Sequence, residues 1–125
     1  MKIAVIAVRT LMGALFLFAS IVVLFNLVQQ PEQTGNVKLF MDGMIATGYL
    51  LPLIKTTELV CGIAFVSGFF VPLASVIISP IIINIFLFHL FVDTSGLGVG
   101  IALVCANIFL AYSNWDKYKP LIQAK

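Results

Sequence analysis

Four apolar stretches, at about residues 3–28, 49–69, 72–92 and 97–114, occupy most of this 125-residue chain. A hydrocarbon layer roughly 30 Å thick needs about 20 apolar residues per crossing helix, and each stretch meets that length. The segments between them are too short to hold a separate soluble domain. With 62% hydrophobic and only 10% charged residues, the chain has too little polar side-chain surface to cover a water-soluble core. The expected fold is all-α: a single domain forming an antiparallel four-helix transmembrane bundle.

The first stretch reads as a retained helix rather than a signal peptide. Its apolar run is longer than an h-region, and Phe25-Asn26-Leu27-Val28-Gln29-Gln30 offers no small-x-small cleavage site. Lys2 and Arg9 lie at its start, and Lys117, Lys119 and Lys125 lie in the C-terminal tail. The positive-inside rule then puts both termini in the cytoplasm, in agreement with an even number of spans. The net charge of +2 comes largely from these anchors. The basic residues form no patch interleaved with aromatics, so no nucleic-acid partner is expected.

Between the first two spans, Val37, Phe40, Met41, Met44 and Ile45 recur at helical spacing, with Asn36, Lys38 and Asp42 among them. This pattern predicts a short amphipathic helix over about residues 36–47, lying in the outer interface. Pro52 near the start of span 2 costs no hydrogen bond there. The brief Ser67-Gly68-Phe69-Phe70-Val71-Pro72 link forces spans 2 and 3 to be neighbours. Pro80 inside span 3 frees the carbonyl of Val76, which needs another partner. Arg9 is expected to snorkel to the inner headgroups. Cys61 and Cys105 share no CxxC motif and read as buried free thiols rather than a disulfide. Gly98, Ala102 and Ala106 form a small-residue stripe on span 4 that suits either packing within the chain or a seam with another copy or a larger membrane complex.

Against this apolar background stand Lys55, Glu58, Asn84 and His89. At 1.5 Å per residue, Lys55 and Glu58 lie about 9 and 13 Å below the outer surface, and His89 and Asn84 about 5 and 12 Å below it. Asn26 and Asp93 belong to the same leaflet, and the inner half of the bundle is left with little polarity. Polar groups at such depth are costly and commonly face a cavity. Lys55 and Glu58, three residues apart, share a helix face. They read either as a salt bridge pinning span 2 or as a carboxylate that exchanges protons in an outward-facing pocket. Asp93, four residues after His89, is placed to orient its imidazole. Asn84 either bridges helices or positions a ligand. Phe86, Phe88 and Phe91 are expected apolar walls. A lone histidine makes no metal site, and no phosphate loop, haem spacing or nucleophile elbow is present, so neither a metal nor a cofactor is evident in the chain.

Several segments bear a family likeness. Ala46-Thr47-Gly48-Tyr49-Leu50-Leu51-Pro52-Leu53-Ile54-Lys55, Glu58-Leu59-Val60-Cys61-Gly62, Val71-Pro72-Leu73-Ala74 and Pro80-Ile81-Ile82-Ile83-Asn84-Ile85-Phe86-Leu87-Phe88-His89 with Asp93 resemble the DoxX-like family of small four-helix membrane proteins. Arg9-Thr10-Leu11-Met12-Gly13 and Phe16-Leu17-Phe18 fit the same pattern. Phe69 stands where family members carry a basic residue after the turn glycine. The family takes its name from a membrane subunit of an archaeal thiosulfate–quinone oxidoreductase and terminal oxidase system, and other relatives are linked to redox and thiol homeostasis. The resemblance implies a bacterial inner-membrane protein near quinone or oxidative-stress chemistry. Any enzymatic role it implies is that of a membrane subunit of a quinone-linked oxidoreductase. The leading expectation is a pocket for a quinone or similar amphipathic molecule. In it Glu58 and His89 would exchange protons with the head group or hydrogen-bond it, while Lys55, Asn84, Asp93 and Phe88 shape the site. The alternatives are a non-enzymatic accessory subunit or assembly factor, and a small-solute transporter working as a dimer.

Overall fold

The computed structural model describes residues 2–27 and 34–123. Within them the chain is helical: α1 (Lys2–Leu24), α2 (Gly35–Ala46), α3 (Leu50–Ser67), α4 (Val71–Phe91), α5 (Leu97–Ser113) and the single turn α6 (Trp115–Tyr118). Short 3₁₀ segments, Thr94–Gly96 and Lys119–Ile122, precede α5 and follow α6. Four of the helices are long and apolar enough to cross a membrane, the fourth counted from Thr94 to Ser113. Large apolar side chains cover the outside of the bundle, among them Phe18, Val60, Ile83 and Ile108, as expected where the surroundings are lipid rather than water.

The first span is shorter than its hydropathy suggests. Asn26 adopts a left-handed conformation, with φ at 52°, and the Leu27 N–H reaches back to the carbonyl of Val22 at 3.1 Å. This six-to-one closure is a Schellman motif, with asparagine in the position usually held by glycine. It stops α1 at Leu24 although apolar residues continue. Asn26 therefore serves as a backbone terminator, and its side chain is exposed rather than part of the polar set.

The α2–α3 junction is organised by Thr47. Its hydroxyl donates to the carbonyl of Met44 at 2.8 Å and accepts from the N–H of Leu50 at 3.0 Å, so one side chain closes one helix and opens the next. Gly68, with φ at 84°, ends α3, and Gly68-Phe69-Phe70 is the whole connection to α4. The guanidinium of Arg9 lies against Gly68, where an added Cβ would come within 2.6 Å of it. That contact ties the start of α1 to the end of α3.

Two close approaches set the helix packing. Gly13 of α1 meets Gly62 of α3: a Cβ on Gly13 would sit 2.9 Å from the Gly62 carbonyl oxygen, and one on Gly62 would sit 3.0 Å from that of Gly13. Gly100 of α5 lies against the backbone of Phe86, its added Cβ 3.2 Å from that Cα. Around these seams a core of Phe16, Phe65, Ile78, Ile82, Leu103 and Leu110 is buried. Gly98 has open space beside it and Ala102 is exposed, while Ala106 packs partly against the core. Most of the small-residue stripe thus faces outward, and the close contact on α5 falls instead on Gly100.

Two expectations are corrected. Cys61 is buried and Cys105 exposed, and neither is bonded, so only one thiol sits in the core. The half of the bundle near the α3–α4 turn also carries more polarity than expected. The Asn107 amide donates to Ser79 Oγ at 2.9 Å, Ser79 Oγ donates to the Ser75 carbonyl at 2.6 Å, and Tyr118 donates to the Pro72 carbonyl at 2.8 Å. These side chains link α4 to α5 and to the C-terminal turn. Burial raises the Tyr118 hydroxyl above its usual pKa.

Candidate functional site

The polar residues that lipid should exclude converge on one cavity of about 590 Å³. Lys55 and Glu58 enter from α3, Asn84 and His89 from α4. Its walls are apolar: Leu15, Phe16 and Ala19 from α1, Leu51 and Ile54 from α3, Ile81 and Ile85 from α4, Val99 and Leu103 from α5. A mostly apolar, concave space with a few convergent polar groups is the usual form of a small-molecule site.

Lys55 Nζ and Glu58 Oε2 form an ion pair at 3.1 Å, with side-chain exposures of 19% and 4%. The three-residue spacing puts both on one helix face, and that face is turned inward. Burial at this depth requires each charge to have a partner. The second Glu58 oxygen has no hydrogen-bonding partner among the described residues, and Glu58 lines the cavity.

His89 is positioned by backbone. Its Nδ1 lies 3.0 Å from the carbonyl oxygen of Asp93. A carbonyl can only accept, so Nδ1 carries the proton, and in the neutral ring Nε2 is left as an acceptor. The ring rests on Gly96, where any Cβ would collide with it. The Asp93 carboxylate does something different from what its spacing suggests. It accepts from the Ser95 hydroxyl at 2.6 Å and from the Ser95 N–H at 3.2 Å, capping the 3₁₀ turn before α5. These two bonds hold its carboxyl below the usual aspartate range. Orientation of the imidazole thus comes from the main chain of Asp93, and the Asp93 side chain does not line the cavity.

Asn84 lines the cavity while remaining exposed at its rim, as does Pro80 one turn earlier. Among the expected aromatic walls only Phe88 is present. Phe91 is 76% exposed, and Phe86 packs its backbone against Gly100. The missing aromatic comes from α2: Phe40 stacks on Phe88 with ring centroids 4.8 Å apart, and Met41 and Met44 join it over the cavity. The amphipathic spacing of α2 identified its apolar face, but nothing in the sequence said what that face would cover.

Chemically the residues lining the cavity carry two acceptors on ionisable side chains, the second Glu58 oxygen and His89 Nε2. Its donors are the Lys55 ammonium and the Asn84 amide, whose oxygen also accepts. These groups can bind a polar head and pass a proton to or from it. Comparison of the chain with protein-family models, with curated proteins and with solved structures finds no match to any of them.

Proposed function

We propose that this chain is a DoxX-like protein of the bacterial inner membrane that binds a quinone or similar amphipathic molecule in the cavity between α1, α3, α4 and α5. The observation that carries the reading is the cavity itself: 590 Å³ of apolar space holding Lys55, Glu58, Asn84 and His89. A ring-shaped head with hydrogen-bonding oxygens fits those side chains, and an isoprenoid tail fits the apolar rim. In this reading the four long helices run antiparallel, supported by the pairing of Arg9 with Gly68 and of Gly13 with Gly62. Both termini are cytoplasmic, the cavity lies in the outer leaflet, and α2 rests in the outer interface with its Lys38–Asp42 pair (3.1 Å) exposed. Glu58 and His89 are the proton-exchanging groups, Lys55 balances Glu58, and Asn84 orients the head. The chain serves as the quinone-binding membrane subunit of a redox system.

The test is mass spectrometry of the protein gently extracted from its native membrane, followed by binding assays in nanodiscs. A stoichiometric quinone or isoprenoid lipid is expected, and its binding is expected to be lost in the folded double variant Lys55→Met/Glu58→Gln. Unchanged binding by that variant would remove the site. A stoichiometric protein partner without a small molecule would favour an accessory subunit, for which the outward-facing Gly98 and Ala102 are the natural contact.

A further inference from the structure

We infer that the cavity selects a head group that donates a hydrogen bond, a phenol or hydroquinone hydroxyl, over the corresponding quinone carbonyl. The inference rests on the reading that an amphipathic ring binds there, and it goes further by naming the hydrogen-bonding state of that ring.

The argument begins with His89. The Asp93 carbonyl 3.0 Å from Nδ1 holds the ring proton on that nitrogen and leaves Nε2 as a lone pair. The arrangement is fixed rather than adjustable. Gly96 lies directly against the imidazole, and Gly100 bounds its Cδ2 side, an added Cβ there lying 3.7 Å away. The Asp93 carbonyl is fixed in turn, because its residue's N–H bonds to Phe88 O at 3.0 Å and its carboxylate to Ser95. Main-chain geometry therefore sets the tautomer. Nε2 has no hydrogen-bonding partner among the described residues; it lies beside Gly96, whose added Cβ would be 3.0 Å from it, and His89 as a whole lines the cavity.

The second acceptor is the Glu58 oxygen not taken by Lys55. A quinone carbonyl set against either acceptor would place lone pairs face to face and leave a desolvated acceptor unpaired. A hydroxyl avoids this at both places. It donates to Nε2 or to the carboxylate, and its own oxygen still accepts from the Lys55 ammonium or the Asn84 amide. The donors in the cavity thus serve both redox forms, whereas its acceptors serve only the reduced one.

The experiment is equilibrium binding to the full chain in nanodiscs at pH 8. The three probes are decyl-ubiquinone, its hydroquinone kept reduced under argon, and the hydroquinone dimethyl ether, which keeps the ring but cannot donate. The hydroquinone is expected to bind about tenfold more tightly than either of the others, the difference of roughly one satisfied hydrogen bond. His89→Phe, which keeps a flat ring over Gly96, is expected to narrow that gap to about twofold. Equal or tighter binding of the quinone, or an ether that matches the hydroquinone, overturns the inference and leaves the ligand reading standing. So does a gap left undiminished by His89→Phe in folded protein. If that variant does not fold, the ether comparison on the unaltered chain decides alone. Failure of all three probes to bind overturns the ligand reading and this inference together.

Discussion

Gly13 and Gly62 touch through their backbones, each presenting its carbonyl to the place where the other would carry a side chain. Neither could be found as a contact from hydropathy, because glycine scores as unremarkable within an apolar run. Together they set how closely α1 and α3 approach, and with it the width of the cavity wall that Phe16 and Glu58 share.

Replacing either glycine should therefore act through crowding. Gly62→Ala pushes a methyl group to 3.0 Å from a backbone oxygen, which must shift to make room. The expected cost is about 1–3 kcal/mol, the usual range for overpacking. Unfolding in mixed micelles measures it. Alanine at Gly98, which has open space beside it, should be neutral or slightly stabilising in the same assay. Equal effects at the two positions would rule out the close crossing.

The Lys55–Glu58 pair makes a second prediction, about stability rather than binding. Removing one partner leaves a charge in a low-dielectric site, so Lys55→Met or Glu58→Gln alone should cost about 3–5 kcal/mol. The double variant loses both charges together and should be much closer to the original stability than the sum of the singles. A double-mutant cycle on unfolding free energies checks this. Single variants that cost less than about 1 kcal/mol would mean that the pair behaves like a solvated surface bridge.

Acid should loosen the α4–α5 junction through Asp93. Its carboxyl lies below the ordinary range because the Ser95 hydroxyl, and then the Ser95 N–H, bind the ionised form. For a depressed carboxyl the stabilisation is complete above the unfolded pKa of about 3.9 and is lost as pH falls through the lower folded value. Carboxyl-carbon NMR of the folded protein should place the Asp93 midpoint below that figure, and Ser95→Ala should raise it. An Asp93 midpoint unmoved by Ser95→Ala would contradict the cap. His89 keeps its carbonyl partner in either case, since that bond belongs to the Asp93 main chain.

Some of this was legible in the sequence. Helical spacing over residues 36–47 locates α2, which spans Gly35–Ala46. Lys55, Glu58, Asn84 and His89 stand out because each interrupts an apolar run, and they do line a common cavity. Asn107, Ser75 and Ser79 were missed for the opposite reason: single small polar groups barely lower the hydropathy of a long window, and their pairing is between helices. α1 ends at Leu24, four residues short of the apolar run's end, because Asn26 stops the helix through its φ angle, which hydropathy does not register. Phe91 and Phe40 exchanged expected roles because which aromatics meet a cavity depends on helix rotation and on where α2 docks. Asp93 reached His89 as its i+4 spacing suggests, but through the carbonyl, since Ser95 two residues on claims the carboxylate.

The rim of the cavity carries one more implication. Leu15, Pro80 and Asn84 line the space and are themselves exposed, and all three lie near the middle of long apolar helices rather than at their ends. The mouth therefore faces sideways, toward acyl chains. If the proposed ligand enters there, it comes out of the bilayer, and its occupancy follows its mole fraction among the lipids instead of its aqueous concentration. Adding ligand-free lipid, with no change in water volume, should then empty the site.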